Sequence, residues 1–495
     1  MSEAETKVAS SNRKFYLLVA VFLLAAVLTG VLPARRSKSS VEQWKDEMRA
    51  KGERFTVVEL LGKRAGPVTN RLDELVRLGV LLGTASRGLS GIDHFRYLSN
   101  GLAEAAWMRP RLGLSAAAPG ATAARGVPSS VAPYEWEDLA AEMAAMETTL
   151  AEVHALLAVP DRDTGWDYQH RTPMPKYFVE KRHLAQWLAA ANTHTLHERQ
   201  SAQAVAHLTG SCNLVAWHAE DFSIIGQMIR VAIGNLALQS TWATMQAPGV
   251  TEAQLAGLQA RWEGLLIMPA LARAMEFERA GIGQLFTQVR SGQESVATAF
   301  GPVTTGGGKF ADQAASLVWR ALGAEADELF YLRFMQGQIG ALRKLARLRS
   351  WTAAQPDLAT NSAQLAVFDT WQGKLLLLSQ IGLPNFSRAI PTALRYETLR
   401  ELTITAMAVE RFRRKHGCAP AALSDLVPGF LPAVPVDWMD GKPVRYRLNA
   451  DGVFTLWSIG EDFKDDGGDP TPVAGGSQQN PFWERRDVVW PSQPP

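Results

Sequence analysis

From residue 178 to about 390 the chain keeps almost without interruption to a helical pattern. Alanine, leucine and glutamine dominate, runs of β-branched residues are scarce, and breaks fall at Pro248-Gly249, at 301–308 and at Pro384. Such a stretch lacks the period-two alternation of a half-buried sheet, so it must bury its apolar residues helix against helix. An α-helical bundle or irregular helical array is expected, and no clean repeat of solenoid length accompanies it. Within it, 222–238 is nearly apolar apart from Gln227, Arg230 and Asn235. A membrane span would carry Arg230 in mid-segment at a cost of about 2.5 kcal/mol or more, so a buried core helix is expected here. Thr251 followed by Gln254, with Leu255, Leu258, Trp262 and Leu265 on one face, predicts another helix opened by a capping box.

At 495 residues the chain is too long for one ordinary core, which predicts two or three domains. Lys plus Arg (51) nearly balances Asp plus Glu (49), leaving no cationic excess to drive counterion release, so nucleic acid is not an expected partner. Cys212 and Cys418 lie in segments of different character and form no CxxC pair, so separate free thiols are expected.

Residues 15–32 form an uncharged run bounded by Arg13-Lys14 before it and by Pro33, Arg35 and Arg36 after it. As a helix it would span about 27 Å, enough for a hydrocarbon core. A cleaved signal peptide is the rival reading, but the run exceeds a usual signal core and Leu32-Pro33-Ala34 is a poor cleavage site. Flanking charge is nearly symmetric; we take 1–14 as a cytoplasmic tail, 15–32 as a transmembrane helix and the body as extracytoplasmic, at the cytoplasmic (inner) membrane. A cytosolic-facing body on the same anchor is the alternative.

Beyond the anchor, 33–133 reads as a helical juxtamembrane region, with helices at 41–62 and 68–82, ending in a linker at 116–133 rich in Ala, Gly, Pro and Ser. An α-helical domain over 134–391 opens with a long amphipathic helix at 134–157, and prolines and acids break the pattern across 159–177. The last part, 392–495, changes character. Leu399, Leu402, Ala406, Val409 and Phe412 fall at helical spacing, while Arg400, Glu401, Arg411, Arg413 and Arg414 mark a solvated side, so 392–416 predicts a helix ended by Gly417. Pro420, Pro428, Pro432 and Pro435 follow. Strand-like 444–448 and 453–458 are then set off by turns at Asp440-Gly441 and Asp451-Gly452.

The acids Glu461, Asp462, Asp465, Asp466 and Asp469 crowd around Gly467-Gly468. Calcium takes several carboxylate and carbonyl oxygens from flexible loops of this composition, although the spacing is not that of an EF-hand. An acidic turn stabilised by its own backbone bonds and water is the other open reading. The order of helix, strands and acidic glycine loop over 392–490 resembles the globular end of the type II secretion major pseudopilins. The run Ser458-Ile459-Gly460-Glu461-Asp462, the pair Gly467-Gly468 and the stretch Asp487-Val488-Val489-Trp490 carry that resemblance. It implies a small α+β domain with a calcium-binding loop, and Asp462, Asp469 and Asp487 as side-chain ligands. Phe463 stands where the pattern places a glycine, and 464–466 is an insertion. The resemblance covers a fifth of the chain. Lys14-Phe15 heads the apolar run without the glutamate of a filament subunit, so the chain is not a pilin in that mould. Its whole layout resembles a class of large, uncharacterised, single-span bacterial membrane-anchored proteins.

Other constellations carry less. His183, His194 and His197 would share one helix face, but His183 and His197 would stand about 21 Å apart along it, leaving His194 and His197 beside Glu198 as a thin metal candidate against a solvated polar face. The segment 88–92 lacks the last glycine of a nucleophile elbow, and Gly210-Ser211-Cys212 sits in a helical region. At 306–309 the chain is similar to a phosphate loop, but Val303 and Phe310 replace its first glycine and its Ser or Thr. Asp161, Asp163, Asp167 and His170 could form an acid/base group or a surface connection. Trp187, Trp262 and Trp319 are expected in the core, and Trp457, Trp483 and Trp490 are candidates for partial exposure.

These features predict a mainly α protein with a small α+β end, acting without catalysis as a membrane-anchored scaffold or interaction module toward envelope proteins, with calcium as a candidate cofactor. The alternatives are an envelope hydrolase using carboxylates of the helical region, or an accessory component of a secretion or pilus-like system.

Overall fold

The computed structural model describes residues 39–62, 71–85, 136–161, 168, 177–296, 317, 319–370, 373–383, 388–450, 452–473 and 483–490. The apolar run at 15–32, the linker at 116–133 and the motifs at 88–92 and 306–309 lie outside them. Among the described residues no helix is long and apolar enough to cross a membrane.

The described residues are mainly helical with a small three-stranded sheet. In chain order come α1 (Ser40–Ala50), α2 (Val57–Leu61), α3 (Leu72–Thr84), α4 (Trp136–Ala145) and α5 (Glu147–Ala158). The helix expected at 41–62 is broken because Gly52 turns left-handed at φ 90°, the conformation that ends helices. The one expected at 134–157 divides at Met146, whose φ −106° and ψ 8° leave helical geometry. Then follow α6 (Tyr177–His197), α7 (Ser201–Ala216), α8 (Ile224–Met245), α9 (Glu252–Glu263), α10 (Met268–Ser291), α11 (Ala324–Leu348), α12 (Trp351–Ala363), α13 (Leu377–Gly382) and α14 (Ala389–His416). The near-apolar 222–238 runs into α8 from its second residue, Ser223, which is the N-cap of this core helix and accepts the Gly226 N–H. Thr251 and Gln254 form the expected capping box of α9.

The described residues group into two compact units, one within Met1–Glu59, Ile282–Phe334 and Gln364–Pro384, the other within Leu60–Gly281, Met335–Ala363 and Asn385–Pro495. In the first, buried carboxylates tie separate segments together. Asp327 accepts the N–H groups of Leu378 (2.8 Å) and Ser379 (3.1 Å), capping α13, and the Trp319 indole N–H (2.8 Å). Glu328 lies fully buried between Lys45 (2.8 Å) and Arg290 (3.0 Å).

In the second unit α6 packs on α3, α7 and α8, while α14 lies against α8, α9 and the sheet. The sheet is antiparallel with order β1 (Arg445–Leu448), β2 (Phe454–Ser458), β3 (Val488–Trp490), Tyr446 opposite Leu456 and Trp457 opposite Val489. Gly417 ends α14 left-handed at φ 80° behind Arg413, Arg414, Lys415 and His416, cations that suit the negative end of a helix dipole.

The solvated side expected for α14 is absent over much of its length. Arg400 is 2% exposed and Glu401 6%, because neighbours on all sides bury nearly everything from Tyr396 to Val409. The charges survive burial by gripping the α9–α10 turn. Glu397 accepts the N–H groups of Ile267 (2.6 Å) and Met268 (2.9 Å) at the start of α10, and Arg400 donates to the Trp262 carbonyl (3.0 Å) at the end of α9. An anion thus meets the positive end of one helix and a cation the negative end of the other. Arg400 also pairs with Glu397 (2.8 Å) and Glu401 (2.6 Å), and Tyr396 donates to the Leu265 carbonyl (3.1 Å).

Trp187, Trp262 and Trp319 are core residues as expected, but Trp457, Trp483 and Trp490 are buried too, at 6, 8 and 7% exposure. Both cysteines are free, Cys212 buried and Cys418 exposed, and burial pushes the Cys212 thiol up to about 12.

Candidate functional site

Where α14 leaves the core, the second unit opens into a cleft of about 930 Å³. Its walls come from the end of α8 and the following turn, the last turns of α14, the β1–β2 hairpin, the acidic loop and β3. The aromatic part is Trp242 against Trp490, rings edge-on with centroids 4.9 Å apart, beside Met245 and Pro248. The polar part is cationic. Arg413 and Arg414 share Glu410, Arg413 through two bonds (2.8 and 2.9 Å) and Arg414 through one (2.7 Å). Arg414 is also committed to the main chain, donating to the Val250 carbonyl and to that of Met245 (3.4 Å), so it braces α14 on the end of α8. Arg413 keeps 55% of its side chain in solvent. From β1 the exposed Arg447 faces the same cleft, donating to the Gly467 carbonyl (2.8 Å) and Asn449 Oδ1 (3.1 Å), with its guanidinium 5.6 Å from the Trp457 ring centre. Three arginines against one glutamate, over indole and thioether surface, favour a ligand with carboxylates beside an apolar side chain.

Gly468 and Pro470 of the acidic loop also line this cleft, and Asp487 holds that stretch in place. Its Oδ2 accepts the N–H groups of Gly468 (2.8 Å) and Asp469 (3.1 Å), while Oδ1 is buried without a hydrogen-bond partner among the described residues. Burial lifts the Asp487 carboxyl above the ordinary carboxylate range, against the pull of the amides. Gly467 and Gly468 have φ 74° and 83°, and Phe463 is left-handed as well at φ 61°, a conformation that glycine adopts without strain. The other two predicted ligands turn elsewhere. Asp462 accepts from the Lys464 N–H (3.1 Å), and Asp469 accepts from the Thr471 N–H (3.0 Å) and pairs with Arg486 (3.3 Å). Neighbouring acids are also engaged, Glu461 by a bidentate Arg395 (2.7 and 2.8 Å) and Asp465 by the Trp457 indole (3.0 Å) and Arg445 (3.4 Å). Among the described residues no group of three or more His, Cys, Asp or Glu side chains is placed to hold a metal ion.

The histidine face of α6 is dispersed. His183 Nδ1 lies 3.1 Å from the Gly79 carbonyl, and His197 stacks on Trp136 at 3.7 Å. A different pair forms: His154 Nε2 meets His207 Nδ1 at 2.9 Å across α5 and α7, and burial, with His154 and His194 nearby, pushes His207 down to about 4. Gly210-Ser211-Cys212 lies within α7. Asp161 is buried and accepts the Arg71 N–H (3.3 Å), whereas Asp163, Asp167 and His170 lie outside the described residues.

A second polar constellation went unread in the sequence. Between α7 and α8 the chain turns through His218, which is wholly buried, left-handed at φ 57°, and without a hydrogen-bond partner on either ring nitrogen among the described residues. A non-glycine residue there costs roughly 1–2 kcal/mol, and unpaired buried polar atoms about 1–3 kcal/mol more. Lys181, 2% exposed, lies beside it and donates to the Trp217 carbonyl (3.0 Å); burial pushes its ammonium down to about 7. Burial, then Lys181, pushes His218 down to about 2. Asp221 organises the turn, accepting from Tyr177, Tyr168 (3.3 Å) and both the N–H (2.9 Å) and hydroxyl (2.8 Å) of Ser223.

Both constellations assemble from segments far apart in sequence, and no short spacing announces either. Compared with known proteins, the chain matches no family model, no curated protein and no solved structure.

Proposed function

We propose that this chain is an interaction protein whose second unit docks a segment of a partner protein in the cleft beside the last turns of α14. The segment would present carboxylates to Arg413 and Arg447 and an apolar side chain to Trp242, Met245 and Trp490. The observation that carries this reading is an open cleft of about 930 Å³ that joins an aromatic floor to exposed guanidinium groups. Catalysis there is disfavoured, because the carboxylate among its lining residues, Glu410, is already shared by two arginines. Anchoring through 15–32 at the cytoplasmic membrane, with the body outside, belongs to the same reading and is tested by alkaline extraction and protease protection of membranes carrying the protein.

Selection of random peptides on the full protein tests the docking. Acidic sequences with an aromatic or aliphatic residue should be enriched, and their binding should collapse on Arg413→Glu and Arg447→Glu. Enrichment of sequences that bind both charge-reversed proteins undiminished would overturn the reading.

Calcium tightening of the acidic loop is the second part of the proposal. It draws on the buried Oδ1 of Asp487, without a hydrogen-bond partner among the described residues, on the left-handed Phe463 where the pseudopilin pattern places glycine, and on the sequence order of helix, hairpin and third strand. Calcium should raise the melting temperature of the full protein and fail to do so after Asp487→Asn. An unchanged melting temperature would remove calcium, and with it the functional part of the pseudopilin resemblance.

A further inference from the structure

Apart from the cleft, the turn at 217–221 gathers features that stability alone would not assemble. His218 is wholly buried, carries a left-handed backbone and leaves both ring nitrogens unpaired among the described residues, although Asn or Gly would sit there more easily. Lys181 keeps its amino group inside the same core, where methionine would fill the space without losing hydration. The two groups share walls. The Tyr177 ring lies 5.3 Å from the His218 ring and 5.4 Å from Lys181 Nζ, and Trp217 offers its carbonyl to Lys181 while its ring stands 5.4 Å from His218.

Counting donors shows what is missing. Lys181 Nζ has two N–H groups as an amine and three as an ammonium, and its one hydrogen bond among the described residues goes to the Trp217 carbonyl. A neutral His218 ring adds a further unused N–H. The carboxylates nearby are engaged elsewhere, Asp221 by two tyrosine hydroxyls and Ser223 and Asp161 by the Arg71 N–H. Among the described residues Lys181 Nζ therefore has no second acceptor and the His218 ring has none. From α8 the buried Arg230 adds positive charge, but its guanidinium is spent on the Val215 carbonyl (2.7 Å) and Gln227 (2.7 Å).

We propose that Lys181 and His218 form a buried binding site for a small molecule that presents a carboxylate or carbonyl oxygen to their unused N–H groups. Because His218 has no exposure, exchange needs local opening of the turn and is slow, so ligand and protein are equilibrated before measurement.

The test uses the full chain with nitrogen-15 in its histidine rings and acetate, acetamide or chloride as probes. The His218 ring signals, identified by their loss in His218→Asn, should move saturably with acetate. A response to acetamide as well assigns the site to carbonyl oxygen generally, and a response to acetate alone assigns it to carboxylate. In Lys181→Met, which removes a buried charge and should fold, the acetate affinity should fall by about tenfold or more. His218 signals that ignore both oxygen probes, that move equally with chloride, or that respond undiminished in Lys181→Met would overturn the proposal.

Discussion

Helix α14 carries two glutamate–arginine groups with the same i,i+3 spacing, Glu397 with Arg400 and Glu410 with Arg413, and they do different work. The first is walled in by α8, α9 and the sheet and clamps the α9–α10 turn; the second stands at the lip of the cleft with Arg413 half in water. Spacing alone cannot separate them. What separates them is what else the guanidinium reaches: Arg400 ends on a main-chain carbonyl inside the core, whereas Arg413 leaves 55% of its side chain in solvent. A buried pair that loses one partner strands a charge, while an exposed pair that loses one partner regains water.

Glu397→Ala should give the largest effect, a loss of about 3–5 kcal/mol in denaturant unfolding, because it takes from the buried Arg400 one of its two carboxylate partners and leaves two helix N–H groups without their acceptor. A loss under about 1 kcal/mol would break the comparison. The rule that burial decides can be sharpened at His207, whose folded value is pushed down to about 4 from 6.5. Between those values the unfolded chain binds the proton that the folded chain refuses, so stability is full above pH 6.5 and falls as pH drops toward 4. The fall in melting temperature from pH 7 to 4.5 should shrink in His207→Phe. At the cleft, Arg413→Ala should leave unfolding within about 0.5 kcal/mol of the parent while lowering the affinity of a selected acidic peptide about tenfold. Smallest of all, a double-mutant cycle on Glu410 and Arg413 should give about 0.5 kcal/mol at low salt and nothing measurable at 1 M salt, where screening length drops to roughly 3 Å.

Much of the helical architecture was legible because its signals are local. The capping box at Thr251 and Gln254, the stop at Gly417 and the apolar run of α8 each declare themselves within a few residues. Strands β1 and β2 were legible from their flanking turns, but β3 has three residues and no alternation to read. The burial of Arg400 and Glu401 was misread because a stripe analysis assumes that a charged face meets solvent, and here the neighbouring helices decide otherwise. The cleft and the His218 turn were illegible for a related reason: each draws on segments that meet only in the fold.

Burial of α14 on all sides also decides how the protein can be taken apart. A fragment beginning at residue 392 would keep the sheet but strip α8 and α9 from a helix with Leu394, Leu402, Ile404, Met407 and Val409 in its core. Freed of those neighbours, that helix would expose apolar surface around its whole circumference and would be expected to aggregate in isolation. Dissection by limited proteolysis should accordingly release no soluble C-terminal piece, and the terminal sheet should be recovered only with the helices that precede it.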